Sequence, residues 1–159
     1  MLSRVANSIY WINRYVERAE NVSRFVEVNL HLLLDTPMGT MQQWEPLVIT
    51  TGDQDIFKER YGEATAENVL KFLTFDAKYP SSIRSCVKAA RENARSVREI
   101  ISSEMWEQIN AFYLQVEEAA QSADIAKLYE FYPEVKMASH MFAGVMEATM
   151  SHNEGWHFG

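Results

Sequence analysis

Between residues 3 and 34, apolar or small side chains recur at Val5, Ile9, Ile12, Val16, Ala19, Ser23, Val26, Leu30 and Leu33. The steps alternate between four and three residues, which is the repeat of a helix with one buried stripe. Roughly thirty residues at 1.5 Å each make a rod of about 45 Å, long enough to act as the spine of a bundle. Asp35, Thr36, Pro37 and Gly39 are expected to stop it, since proline disfavours helical geometry in the residue before it and glycine releases the chain.

From Met41 to Asp76 the periodicity comes in shorter pieces. Gln43 to Thr51 predicts one helix, with Pro46 tolerable near its first turn, and Ile56 to Tyr61 a second, closed by a left-handed Gly62. Thr65 can cap a third, running from Ala66 to about Phe75. Tyr79-Pro80-Ser81-Ser82 signals another start, followed by a helix to about Ile101. A helix from Ser103 to Gln121 should follow, with Glu104 at its positive end. Asp124 is expected to cap a short helix ending near Tyr132. Pro133 then opens a last one to about His152, closed by Asn153 and Gly155. The β-branched run Val48-Ile49-Thr50-Thr51 is too short for a sheet. The expectation is an all-α helical bundle, one domain over residues 1–159, opened by a long amino-terminal helix.

Composition fits that outline. Hydrophobic residues at 47% and charged residues at 23% of 159 are ordinary for a globular chain. The 15 basic and 22 acidic side chains give a net charge of -7, which opposes binding to nucleic acid or anionic membranes unless cations gather locally. Cys86 is the single cysteine, so no intramolecular disulfide can form, and a reducing compartment, the cytoplasm, is the expected location. Arg4, Arg14 and Glu17 interrupt the amino terminus too often for a signal peptide. Neither a glycine-rich phosphate loop nor paired-cysteine metal spacing occurs, and no cofactor is expected.

Two polar surfaces stand out. Projection of the first helix places Arg14, Glu17, Arg18, Asn21 and Arg24 within an arc of about 120°, together with Tyr10, Phe25, Val28 and Leu32. Polar groups among apolar ones suggest partial burial, with Arg14–Glu17 and Glu20–Arg24 spaced to pair. The alternative is a solvated face carrying weak ion pairs. In the helix after Ser82, Arg84, Lys88, Arg91, Arg95 and Arg98 fall within about 80° of one another. Glu92 and Glu99 can pair with Lys88 and Arg95. Such a strip either docks acids such as Glu117, Glu118 or Glu147, or receives an anionic ligand, because guanidinium groups bind carboxylate and phosphate through paired hydrogen bonds.

Other chemistry is thinly supported. A carboxylate-bridged metal pair in a bundle needs two Glu-x-x-His motifs, and the chain offers one, Glu154 with His157, while Glu27 and His31 form a common surface pair. No metal is expected. Cys86 shares the apolar side of its helix with Ala90 and Val97 and reads as a small core residue. His140 and His152 have no evident nucleophile beside them. Met137, Met141, Met146 and Met150 recur at helical spacing and read as core filling.

The motifs taken together resemble the alpha-E domain family, a bacterial helical family of unknown biochemical function named for a glutamate-arginine motif. The resemblance begins with SRVANSIYWINRYVERAENVSRFVEVNLHLLLD, in which the motif is Glu17-Arg18. It continues through Trp44, FKERYG, NVLKFLTFD, YPSSI and AARENARSVREIISSEMWEQIN to FAGVMEATMSHNEGW. The resemblance implies membership in those motifs for Arg14, Glu17, Arg18, Asn21 and Arg24, and for Arg91, Glu92, Asn93, Arg95 and Arg98, as a candidate polar cleft. It transfers no catalytic residue. It also implies a full domain about twice this length, of which the chain is the amino-terminal half. Family members are encoded beside, or fused to, circularly permuted ATP-grasp proteins and transglutaminase-like proteins.

The expected role is therefore a noncatalytic helical partner of an ATP-grasp-type amide or peptide ligase. The rival is a helical enzyme or peptide- and anion-binding protein whose cleft is lined by Arg14, Glu17, Arg18, Arg91 and Arg95. Self-association is a third possibility.

Overall fold

A computed structural model describes the backbone of residues 2–34, 41–122 and 125–157, and the side chains of 3–31, 44–122 and 127–149. Seven helices and no strand occur among them. They are α1 (Leu2–Leu34), α2 (Met41–Thr51), α3 (Gln54–Tyr61), α4 (Ala66–Phe75), α5 (Ile83–Ser96), α6 (Ser103–Ser122) and α7 (Ile125–His157). The residues assigned to stopping the first helix, Asp35, Thr36, Pro37 and Gly39, and the Asp124 cap lie outside the described residues.

The spine is as the periodicity requires. Ile12, Val16, Ala19, Ser23, Val26 and Leu30 are buried, and Val5 and Ile9 pack partly against the core. α1 packs most extensively on α5 and next on α7, while α6 bridges α5 and α7. Small residues are buried on both helices, Ala19 and Ser23 on α1 and Cys86, Ala90 and Ala94 on α5. The short helices α2 to α4 close one side around an aromatic group in which Phe72 stacks on Tyr79 at 4.1 Å and meets Phe57 edge-on at 5.2 Å.

The capping signals hold. Thr65 Oγ1 accepts from the Asn68 N–H at 3.2 Å and Ser82 Oγ from the Ser85 N–H at 3.1 Å. Gly62 has φ +80°, and its N–H donates to the Lys58 carbonyl at 3.0 Å.

Five expectations are corrected. α2 begins two residues early, with Pro46 inside it. The ring is exposed, and the bond it forgoes belongs to the carbonyl four residues back, in the first turn. α5 ends at Ser96, and residues 97–101 form turns in which Ile100 N–H donates to the Val97 carbonyl at 2.9 Å. Ser96 Oγ donates to the Asn93 carbonyl, a local competitor of helix hydrogen bonding. The break expected at Pro133 does not occur, because α7 runs through it. Pro133 is exposed, Phe131 and Tyr132 anchor the helix just before it, and Ser23 Oγ donates to the Tyr132 carbonyl at 3.1 Å. α7 also continues past Asn153 and Gly155 to His157, since an interior glycine costs only about 1 kcal/mol. Finally, of the methionines expected in the core only Met146 is shown there. Met137 and Met141 are exposed, as α7 packs through Leu128, Tyr132, Val135, Ser139, Phe142 and Met146, and the Met150 side chain is outside the described residues.

Candidate functional site

The arc on α1 does not form a buried island. Arg14 and Glu17 pair at 3.3 Å with side chains 52% and 64% exposed, and Asn21 and Arg24 also face solvent. The solvated alternative therefore describes Arg14, Glu17 and Asn21. Arg24 reaches Glu20 at 2.8 Å and lies 3.3 Å from His140 Nε2. Glu20, by contrast, ties α1 to α7, accepting from Ser139 Oγ at 2.5 Å. Glu27 pairs with Lys136 of α7, not with His31, whose ring lies against Tyr129. An exposed pair is worth well under 1 kcal/mol, so Glu17→Gln is expected to change unfolding free energy by less than about 0.5 kcal/mol in urea denaturation.

The basic strip of α5 turns toward α6. Arg84 forks onto Glu117, Nε to Oε1 at 2.9 Å and Nη2 to Oε2 at 2.7 Å. Those hydrogen bonds hold the Glu117 carboxyl below its ordinary range and raise Arg84. Arg91 donates through Nε to Asn110 at 2.8 Å and lies over the rings of Tyr113 and Trp106, at 4.7 and 5.5 Å. Arg98, in the turn beyond α5, also lies over the Trp106 ring, at 4.7 Å. Asn93 is occupied with the Ala89 carbonyl. Glu92 pairs with Arg91 instead of Lys88, and Arg95 is exposed.

The two ridges meet at one place. Arg18 and Glu92 line a cleft of about 350 Å³ together with Tyr15, Ala77, Lys78, Pro80, Ser85, Lys88 and Ala89. It lies between α1, the 76–82 turn and one face of α5 from Ser85 to Glu92. Arg18 rests over the Tyr15 ring at 5.7 Å, a cation–π contact that limits where its guanidinium can go. The other eight residues of the candidate set lie outside it. Tyr15, Lys78 and Ser85 escaped the sequence reading because two sit off the polar arcs and Lys78 belongs to a turn, where helical projection has no meaning.

The turn is rigidly built. Asp76, whose side chain is 2% exposed, accepts from Arg60 Nη1, from Tyr61 Oη at 2.9 Å and from the Lys78 N–H at 2.8 Å. Burial pushes its carboxyl up, but these three hydrogen bonds outweigh it and leave the pKa below its ordinary value. Tyr61 is raised to about 12 by burial and by the bond it donates. Ser82 Oγ donates to the Asp76 carbonyl at 2.7 Å, fixing the turn to the start of α5.

Cys86 lies beneath this region, fully buried. Burial pushes its thiol up to about 11, against a small opposing effect of the Arg18 charge. A nucleophilic role needs an accessible thiolate. With an aromatic disulfide reagent at pH 8, Cys86 is expected to react at least about a hundredfold more slowly in the folded chain than in denaturant. Among the described residues no group of three or more His, Cys, Asp or Glu side chains is placed to hold a metal ion, and no helix is long and apolar enough to cross a membrane.

A family model described as a predicted alpha-helical domain with a conserved ER motif matches residues 1–159. The chain belongs to the Alpha-E family. Glu-Arg occurs twice in this Alpha-E chain, and the two copies differ in environment. At Glu17-Arg18 the glutamate faces solvent and the arginine faces the cleft. At Glu59-Arg60 the arginine is bound to Asp76. Uncharacterised proteins of Mycobacterium bovis and Mycobacterium tuberculosis are each 25% identical to the chain over 173 residues. The match covers 96% of the chain and 20% of either relative, so the chain spans about a fifth of the length of the curated proteins it matches. No solved structure matches it.

Proposed function

We propose that this Alpha-E chain is a noncatalytic helical partner of an ATP-grasp-type amide or peptide ligase, acting in the cytoplasm with transglutaminase-like proteins as further associates. The observation that carries the reading is its modular use: in the mycobacterial relatives the matching region is one fifth of a much longer polypeptide, as suits a unit that works beside other domains. The chemistry of the described residues is consistent with it. The one thiol is buried and held protonated, and the Asp76 and Glu117 carboxylates are bound to arginines within the bundle. The exposed stripe of α1, with Tyr10, Arg14, Glu17, Asn21 and Val28, offers mixed aromatic and charged contacts of the kind protein interfaces favour.

Co-purification of the chain with an ATP-grasp protein encoded beside it, followed by ATP turnover of that ligase with and without the chain, tests the proposal. Association that Glu17→Arg weakens about tenfold is expected, because a reversed charge within an interface costs on the order of 1 kcal/mol or more. Absence of association together with unchanged ligase turnover overturns it.

A further inference from the structure

We infer that the cleft between α1 and the start of α5 binds a small phosphate monoester, with Arg18, Lys78 and Lys88 holding the phosphoryl group. Three cations and one carboxylate, Glu92, line this space. Glu92 is engaged by Arg91 from the neighbouring position of α5, at 3.4 Å. Arg18, Lys78 and Lys88 have no ion-pair partner among the described residues. The acids that could serve them are occupied: Asp76 by Arg60, Tyr61 and the Lys78 N–H, and both oxygens of Glu117 by Arg84. In a chain of net charge -7, a concave cluster of three cations without a direct ion pair runs against the overall field, with Lys88 acting only at longer range on the Glu117 carboxylate.

The charge and shape select the ligand. The excess of two positive charges matches a phosphate monoester, which carries about −1.5 to −2 at neutral pH, better than a single carboxylate. Arg18 is steadied by the Tyr15 ring and presents a planar fork suited to two phosphoryl oxygens. The cleft opens beside the first turn of α5, at Ser85, and the helix dipole there adds positive potential. Tyr15, Ala77, Pro80 and Ala89 form an apolar wall for a small organic group on the ester. The volume of about 350 Å³ lies in the range of small-molecule sites.

The assignment is independent of the ligase partnership, since it concerns the isolated chain, and failure of one leaves the other standing. Phenyl phosphate, inorganic phosphate and phthalate are titrated into the full chain at low salt by calorimetry, with backbone amide NMR shifts to locate binding. Phenyl phosphate is expected to bind with millimolar or tighter affinity, to shift the amides of Ser85, Lys88 and Ala89, and to bind about tenfold more tightly than inorganic phosphate, as burial of a small apolar group allows. Lys78→Gln and Lys88→Gln, both exposed positions that leave the core untouched, should each weaken binding about fivefold, and Glu92→Gln should strengthen it about threefold, as Coulomb interactions at this range require. Equal binding of phthalate would replace the phosphate assignment by a dicarboxylate. Equal binding of inorganic phosphate would remove the organic group from it. No shift at the cleft, or weaker binding by Glu92→Gln, overturns the site.

Discussion

Tyr132→Ala is expected to lower the unfolding free energy by about 3 to 5 kcal/mol, the range for emptying a large aromatic site in a core. The ring is fully buried, meets Phe131 edge-on at 5.7 Å, and its hydroxyl shares a hydrogen bond of 2.8 Å with Thr74 Oγ1. Its carbonyl takes the Ser23 hydroxyl of α1. Tyr132 therefore fastens α7 to both α4 and α1 just before Pro133. Tyr132→Phe keeps the volume and leaves Thr74 without that partner, and about 1 to 2 kcal/mol is the expected loss. Urea denaturation of both variants separates volume from hydrogen bonding. A Tyr132→Ala loss below that of Tyr132→Phe would refute the packing argument.

Asp76→Ala is expected to cost roughly 2 to 4 kcal/mol, because it strips partners from the Arg60 guanidinium, the Tyr61 hydroxyl and the Lys78 N–H at once. The same change loosens the turn that carries Lys78 and Pro80 into the cleft, so phenyl phosphate binding should fall with it. A pH dependence follows. Asp76 and Glu117 both have folded pKa values below their ordinary 3.8 and 4.5. A depressed carboxyl binds its proton more readily in the unfolded chain, so its contribution is fully present above the unfolded pKa and is lost as pH falls through the folded one. The melting temperature should hold between pH 6 and 5 and drop as pH is lowered below about 4. In Asp76→Ala that acid-side drop should be shallower, and an unchanged slope would show that Asp76 does not contribute to it.

The helices were largely legible in the chain because their signals are local. The four-three repeat of α1 and the Thr65 and Ser82 caps act through neighbours within one turn, and each appears where the residues place it. Two of the misread boundaries involve a distant partner or a competing local bond. Pro133 is carried inside α7 by Tyr132 packing against α4 and α1, and residues 97–101 leave the helix where Ser96 Oγ donates to the Asn93 carbonyl. Met137 and Met141 read as core because spacing gives a helical face without saying which face another helix will cover.

The same distinction governs the site. From the sequence alone come an all-helical chain, its Alpha-E motifs and two lines of charge along α1 and α5. Only the tertiary structure decided that Arg14, Glu17 and Asn21 face water, that Arg84, Arg91 and Arg98 are taken up by α6, and that Arg18, Lys78, Lys88 and Glu92 line one cleft. Projection fixes the angle of a side chain about its own helix axis. Burial and ion pairing depend on the rotation of each helix against its neighbours, which is set by the summed packing of cores far apart in sequence.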